Sequence, residues 1–209
     1  YNQNGSLSKI TSPSNTQYSF TYDPFGRIKG IKVGSRLLSQ TNYKDNRSSL
    51  ISEFIYGNGN KKTYAYDNLE RLVSEHINGT LALSYVYDKQ SNLARKQDHI
   101  SGVLTEMFYD LSGRLNSITA TNGQSMNIFY DNLSRVSKYK WSLGTSGYMF
   151  GYNYGQSNIR GKYTNVIYGV SLNNKERLTY TYDSLLRRTA RIINTNTKFV
   201  TSYAYEDLD

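Results

Sequence analysis

Acidic side chains in this chain recur beside a tyrosine and an arginine at a fixed spacing. The dipeptide Tyr-Asp occurs six times, and in five of these copies an arginine follows the aspartate four residues later. The copies are Tyr22, Asp23 and Arg27; Tyr66, Asp67 and Arg71; Tyr87 and Asp88; Tyr109, Asp110 and Arg114; Tyr130, Asp131 and Arg135; and Tyr182, Asp183 and Arg187. A row of carboxylates could bind cations or transfer protons. Because an arginine accompanies nearly every carboxylate, we interpret the pairs as structural staples instead.

The remaining residues offer little support for catalysis or metal binding. The two histidines are His76 and His99, and zinc normally needs three or four ligands, for which the sequence contains no cysteine. No serine lies in a nucleophile-elbow pattern. No spacing favours an acid–base pair among the carboxylates outside the copies, which include Glu53, Glu75, Asp98, Glu106 and Glu176. We therefore predict that the protein is not an enzyme and has no catalytic residue, no metal site and no cofactor.

The Tyr-Asp copies follow a regular ruler along the chain. The tyrosines at positions 66, 87, 109 and 130 are separated by 21, 22 and 21 residues. The same ruler reaches degenerate copies at Tyr1, Tyr43 and Tyr152, and the chain closes with a last, incomplete copy, Tyr203-Ala204-Tyr205-Glu206. A fixed period of this length indicates a repeat architecture. We therefore predict one repeat array over residues 1–209, and we expect it to be a fragment of a longer protein.

Each copy has the sequence pattern of a β-hairpin. Before the dipeptide, tyrosines alternate with small or polar residues, as in Thr63-Tyr64-Ala65-Tyr66, which is typical of a half-buried strand. Turn-prone residues and a second alternating stretch follow. The aspartate can accept hydrogen bonds from backbone N–H groups of its own turn, and Gly26 or Gly113 can adopt positive φ. The prediction is an all-β protein of tandem hairpins that form an extended, twisted antiparallel sheet.

Composition and charge limit the kinds of partner. Hydrophobic residues make up 37% of the chain, tyrosine contributes 21 residues, and the formal net charge is +9. No apolar stretch is long enough to span a membrane. The basic residues are scattered, so a solvated sheet face explains them better than a dedicated anionic partner does. The tyrosines follow the structural ruler, so we do not predict a nucleic-acid partner.

One family has repeats of this kind. The copies resemble the YD repeat of the Rhs (rearrangement hotspot) family in the segments YDPFGRI, YDNLERL, YDLSGRL and YDNLSRV and in the lead-in YGNGNKKTYAYD. That family includes bacterial polymorphic toxins, encapsulating subunits of insecticidal toxin complexes, wall-associated proteins and teneurins. The resemblance implies a curved or spiral section of a hollow shell, secreted by a bacterium or displayed at its surface. It also implies that the partners are other segments of the parent protein, including an enclosed toxin in the toxin-bearing members.

Two functions stay open at this point. The first is a non-catalytic structural segment of a secreted shell that encloses or scaffolds a toxin or another domain. The alternative is a cell-surface module that binds a glycan or an anionic cell-wall polymer through exposed tyrosines and lysines. Residues 137–179 depart from the ruler and are rich in glycine, so we expect a longer hairpin or a bulged loop there. We expect any specific feature outside the repeat to lie in that stretch.

Overall fold

The computed structural model describes residues 1–156 and 163–205, and every helix or strand assigned within these ranges is a β-strand. The chain forms two compact units, Tyr1–Leu104 and Thr105–Asp209. The strands of each unit are antiparallel and follow one another as hairpins. The prediction of an all-β protein built from tandem antiparallel hairpins is therefore confirmed. The prediction that residues 1–209 form one array stays a prediction.

The first unit is a run of nine strands, each paired antiparallel with the next. They are β1 (Lys9–Thr11), β2 (Gln17–Tyr22), β3 (Ile28–Val33), β4 (Arg36–Tyr43), β5 (Ile51–Tyr56), β6 (Lys61–Tyr66), β7 (Leu72–Ile77), β8 (Thr80–Tyr87) and β9 (Leu93–Asp98). Most of them contain six residues. A tyrosine, threonine or branched side chain at alternate positions favours their extended backbone. The Tyr-Asp turns connect β2 to β3, β6 to β7 and β8 to β9.

The second unit continues the same pattern with some longer strands. Its strands are β10 (Leu104–Tyr109), whose first residue closes the first unit, β11 (Leu115–Ala120), β12 (Gln124–Tyr130), β13 (Val136–Leu143), β14 (Ser146–Gln156), β15 (Tyr163–Leu172), β16 (Lys175–Tyr182), β17 (Arg188–Asn194) and β18 (Lys198–Ser202). Here Tyr-Asp turns connect β10 to β11, β12 to β13 and β16 to β17.

Alternation along the strands gives the sheet of each unit two different faces. The side that carries the motif tyrosines is called the tyrosine face, and on it Tyr66 lies opposite Leu72. The other side is called the opposite face, and on it Ala65 lies opposite Ser74. The motif tyrosines therefore share one side, while the other side carries small and polar side chains together with exposed rings such as Phe108 and Phe129.

The sheet has very little enclosed core. Ala82 is 4% exposed, and no large side chain among the described residues is fully buried. Most strand residues are half-buried by their neighbours in the sheet. The described structure therefore depends on hydrogen-bonded strand ladders and on cross-strand side-chain pairs more than on a packed interior.

A β-bulge recurs at every Tyr-Asp copy. The register shifts immediately before each of the six motif tyrosines, for example between Phe108 and Tyr109. The same shift occurs before Tyr43 in a degenerate copy. A bulge bends its strand and increases the local twist. Because the alternation of side chains does not reveal it, the sequence analysis did not predict this bulge.

The glycine-rich stretch 137–179 contains long strands. The described part consists mostly of β13, β14, β15 and β16, and the β14–β15 ladder shifts register on both sides of Tyr154. Strand β14 contains 11 residues and β15 contains 10, and the expectation of a longer hairpin or a bulged loop stays a prediction. Residues 157–162, with Gly161, lie outside the described residues.

Candidate functional site

The carboxylate of each motif aspartate closes its own turn. In one copy, Asp110 Oδ1 accepts hydrogen bonds from the N–H groups of Ser112 and Arg114, both at 2.9 Å. Its Oδ2 accepts from Arg114 Nε at 2.7 Å. The backbone adds a bond from the Asp110 N–H to the Arg114 carbonyl at 2.8 Å. One carboxylate thus holds both ends of a short reversal, as an Asx-type turn does.

The same geometry occurs in the other copies. Oδ2 accepts from an arginine Nε in the pairs Asp23–Arg27, Asp67–Arg71, Asp131–Arg135 and Asp183–Arg187, at 2.6 to 2.8 Å. In the copy without arginine, Asn92 Nδ2 donates to Asp88 Oδ2 at 3.0 Å. In the first copy, Asn2 Oδ1 accepts from the N–H groups of Asn4 and Ser6. The turn therefore requires an acceptor at this position, and a neutral amide can supply it.

The residue before the arginine, or before Asn92 in the copy that lacks the arginine, adopts a left-handed backbone in the six Tyr-Asp copies. Gly26 and Gly113, as the sequence analysis predicted, have φ of 78° and 75°. Four copies place a residue with a side chain at this point, namely Glu70, Ser91, Ser134 and Leu186, with φ between 61° and 67°. This conformation costs free energy for a residue with a Cβ atom. The hydrogen bonds of the aspartate maintain it in these four copies.

The electrostatics of the turn keep the carboxylates ionised. Hydrogen bonds from the side chain and the backbone of Arg114 hold the pKa of Asp110 below its ordinary value. For Asp67, the hydrogen bond from the Arg71 side chain is the main cause of the lowered pKa, and burial opposes it by raising the pKa. Acid–base catalysis near neutral pH would instead require a raised carboxyl pKa. The turns are therefore poorly suited to proton transfer.

The arginine also reaches the next copy along the chain. The guanidinium carbon of Arg114 lies 4.3 Å from the ring centroid of Tyr130. Its NH1 group donates to Ser134 Oγ at 2.8 Å. The guanidinium groups of other copies lie 4.1 to 4.9 Å from the ring centroid of a following tyrosine in the pairs Arg27–Tyr43, Arg71–Tyr87, Arg135–Tyr154 and Arg187–Tyr205. The staple within one hairpin is thus also a contact between hairpins.

The tyrosine hydroxyl completes this contact. Tyr130 donates to the carbonyl of Leu115, the residue that follows Arg114, at 2.7 Å. Equivalent bonds of 2.8 or 2.9 Å join Tyr22 to Leu7, Tyr43 to Ile28, Tyr66 to Ile51, Tyr87 to Leu72, Tyr154 to Val136, Tyr182 to Ile167 and Tyr205 to Arg188. We call the aspartate and arginine of one copy, with the tyrosine of the next, the repeat latch. Tyr109 occupies the same position at the end of β10.

The ruler misplaces one of the degenerate copies. It selects Tyr152, but Tyr154 makes the latch contacts with Arg135 and Val136. The prediction was wrong because the longer β13–β14 hairpin stretches the spacing at this copy. Tyr152 packs instead beside Tyr139, with ring centroids 6.0 Å apart, and burial first, then a hydrogen bond with Tyr139, raises its pKa to about 12. In the last copy, Tyr203-Ala204-Tyr205-Glu206, Tyr205 takes the latch position.

The structure does not gather the remaining chemical groups into a centre. His99 Nε2 lies 2.9 Å from Ser84 Oγ, a pair that the sequence did not reveal. His76 lies on β7 opposite Leu81. In residues 1–156 and 163–205, no three side chains of histidine, cysteine, aspartate or glutamate form a group that could hold a metal ion. The same ranges contain no helix that is long and apolar enough to cross a membrane.

The chain is similar to known proteins in sequence and in fold. The sequence model of the teneurin YD-shell family matches residues 1–122, which is more than half of the chain. The fold resembles that of the Photorhabdus luminescens Tc holotoxin pore, with a TM-score of 0.59 and 14% identity over 97% of this chain and 14% of that chain. No curated protein matches the chain in sequence.

Crystal structures of TcdB2–TccC3 proteins show the same fold. TcdB2–TccC3–TEV has a TM-score of 0.60 and 15% identity over 97% of this chain and 14% of that chain. TcdB2–TccC3 without its hypervariable C-terminal region has a TM-score of 0.62 and 12% identity over 90% of this chain and 12% of that chain. The present chain therefore spans only 12–14% of the length of these structural relatives.

Proposed function

This chain belongs to the teneurin YD-shell family, and on that premise we propose that it is a non-catalytic structural segment of a shell wall. The wall would enclose or scaffold another part of the parent protein, such as a toxin. We further propose that the parent protein is secreted or displayed at a bacterial cell surface. The partners of this segment would then be other segments of the same parent.

The observation that carries this proposal is the repeat latch. The tyrosines, aspartates and arginines, which looked most able to do chemistry, form bonds within and between hairpins. Arg71, for example, pairs with Asp67, donates to Ser91 Oγ at 2.9 Å, and lies over Tyr87. A catalytic site needs groups that are available to a substrate. Because the motif side chains are bonded to their own and neighbouring hairpins, a structural role in a wall suits them better than a role in an active site.

The thin cross-section also supports a wall. Each unit is a sheet with two accessible faces, and the described residues enclose no large side chain completely. Repeat proteins of this kind gain stability from contacts between neighbouring units, so length can be added without enlarging a central core. The structural relatives, about seven times longer than this chain by the 14% coverage, show that the fold occurs within much larger chains.

Protease protection tests the proposal. The longer protein that carries this chain would be digested with a nonspecific protease, and the half-life of its enclosed segment compared with that of the same segment produced alone. We expect much slower digestion inside the parent protein. The variant Arg114→Gln/Arg135→Gln should accelerate it by loosening two latches. Equal digestion of the segment with and without the surrounding array would refute enclosure.

A matched substitution controls for simple charge loss. Lys9→Gln/Lys32→Gln removes the same charge from exposed positions outside the latch. It should leave digestion unchanged. If it accelerates digestion as much as the arginine variant does, the effect would come from net charge and not from the latch.

A further inference from the structure

Four consecutive strands of the second unit lack acidic residues. No aspartate or glutamate occurs within β11, β12, β13 or β14. The nearby turn carries Asp131, which is paired with Arg135 at 2.6 Å. Lys138 and Lys140 on β13 are both exposed. This part of the sheet therefore has positive charge without a carboxylate on its own strands to neutralise it.

Both lysines lie on the opposite face, beside an exposed aromatic ring. Lys138 pairs across strands with Phe129, and Lys140 pairs with Asn127. Phe129 is 49% exposed. Directly opposite side chains on one face of an antiparallel pair are close enough to act on one ligand. An apolar ring, an amide and two ammonium groups therefore share one small area.

A concavity continues this area toward the end of the β13–β14 hairpin. Its volume is about 490 Å³, and its lining includes Lys140, Ser142, Thr145, Ser146 and Asn174, with no carboxylate. This volume lies within the range of pockets that hold small ligands. Hydroxyl and amide groups of this kind can donate and accept hydrogen bonds. The lining is about half polar and half apolar, with Tyr148 and Met149 in the apolar part, and its one charged side chain is the basic Lys140.

Gly147 lines the concavity at a position that has no room for a side chain. Gly147 lies opposite Ser142, and a Cβ atom at this position would come within 2.8 Å of the Trp141 carbonyl oxygen and 2.9 Å of Ser142 Oγ. Any other residue would therefore force a shift of the strand or of the serine. Part of the glycine-rich character of residues 137–179 thus has a local steric reason at the concavity.

We propose that this surface, formed by Phe129, Lys138, Lys140 and the adjoining concavity, binds an acidic glycan that carries carboxylate groups. A sugar ring would pack its apolar side on Phe129 or sit in the concavity, where hydroxyl and amide groups bond its hydroxyls. The two lysines would pair with its carboxylates. The absence of carboxylates on β11–β14 fits an anion and disfavours a cation. Binding at this surface goes beyond a purely structural role for the wall.

The test measures binding of the whole chain to defined oligosaccharides by calorimetry. The probes are a panel of uronic-acid oligosaccharides and the same compounds with their carboxylates methyl-esterified. We expect saturable binding of at least one acid form and at least about tenfold weaker binding of its ester, the scale of one or two lost charge-assisted contacts. No binding of any acid form at moderate salt would overturn the proposal, as would equal binding of the ester.

Variants locate the site. Lys138→Gln/Lys140→Gln and Phe129→Ala should each weaken binding of the acid form that binds most tightly. The lysine pair should lower the affinity by about tenfold. The control Lys9→Gln/Lys32→Gln removes the same charge from two exposed lysines of the first unit, which both lie opposite Ser19. It should change the affinity less than about twofold.

Two results with these variants would contradict the site. Equal weakening by both lysine pairs would show nonspecific charge attraction. Polyphosphate could also bind as tightly as the glycan and lose affinity equally in both lysine variants. That result would likewise show nonspecific charge attraction. Circular dichroism and the unfolding midpoint of each variant verify that the fold is intact, and Phe129→Ala gives a second readout that does not change charge.

Discussion

At the level of single residues, each motif aspartate has its acceptor positions filled by its own turn. Asp110 receives two backbone N–H groups and the Arg114 side chain. Asn2 accepts equivalent backbone bonds without a charge. The main requirement at this position is therefore an oxygen in the right place. The negative charge adds the pairing with arginine.

Substitution of Asp110 should separate these two contributions. Asp110→Ala removes the acceptor and the charge, and we expect the thermal unfolding midpoint to fall by roughly 2–4 °C. Asp110→Asn should cost less, because the amide oxygen can still accept from Ser112 and Arg114. The midpoints are compared by circular dichroism. Equal losses for both variants would mean that charge matters more than the acceptor, and no loss for alanine would mean that the turn does not depend on this side chain.

Leu186 offers a second test at the same scale. This residue has φ of 61° and is 42% exposed, so it carries backbone strain and contributes little burial. Leu186→Gly should stabilise the protein by about 0.5–1 kcal/mol, the relief of left-handed strain less the extra chain entropy of glycine. Denaturant unfolding measures the difference. The control Gly113→Ala should destabilise, since it introduces the strain that Leu186→Gly removes; a destabilising Leu186→Gly would contradict the argument.

At the level of elements, the hairpin is not an independent unit. The bulge before each motif tyrosine re-aims the returning strand, and the arginine on that strand meets the tyrosine of the following hairpin. The tyrosine hydroxyl then bonds to the backbone of the preceding copy. A hairpin alone is marginally stable in water. The latch therefore explains how short strands with little core remain ordered.

A double-mutant cycle should detect this coupling. Arg114→Gln and Tyr130→Leu remove the two partners of one latch, and we expect a coupling energy of about 0.5–1 kcal/mol between them, as for exposed cation–π pairs. The cycle is measured by denaturant unfolding of the four proteins. The same arginine substitution combined with Tyr182→Leu, in a copy that Arg114 does not contact through the latch, should be additive. Coupling of similar size in both cycles would show that the effect is not local to one latch.

At the level of the whole molecule, the repeated aspartates should act together on acid stability. Hydrogen bonds from arginine side chains and from the backbone hold the pKa values of Asp67, Asp110 and Asp131 below the ordinary value of 3.8. As pH falls, the unfolded chain therefore binds protons before the folded chain does. The stability that these groups contribute is complete above the unfolded pKa and is lost as pH falls through the lower folded values.

The direction of these pKa shifts predicts how the unfolding midpoint changes with pH. The unfolding midpoint should be nearly constant between about pH 5 and 7 and should fall below about pH 4. Thermal scans in buffers of equal ionic strength measure it. The variant Asp110→Asn should show a smaller acid decrease than the parent chain, because one titrating group has been removed. A midpoint that stays constant down to about pH 3 would contradict the proposed contribution of the carboxylates.

Much of the local structure was predictable from the sequence because its causes are local. The Tyr-Asp ruler, alternation as in Thr63-Tyr64-Ala65-Tyr66, and turn residues such as Gly113 act within a few residues of one another. The left-handed backbone at Leu186 was not predictable, since nothing in a leucine marks it. The spacing to Tyr154 was also missed, because it depends on how far the β13–β14 hairpin extends before its partner strand.

The contacts between copies required the tertiary structure. Arg114 and Tyr130 are 16 residues apart in sequence, and whether they meet depends on strand register and on the bulge between them. A shift of one residue would turn either side chain to the other face. The same register places Phe129 beside Lys138. Local chemistry thus determined the hairpin and its turn, whereas non-local register decided which turns form latches and which side chains share a face.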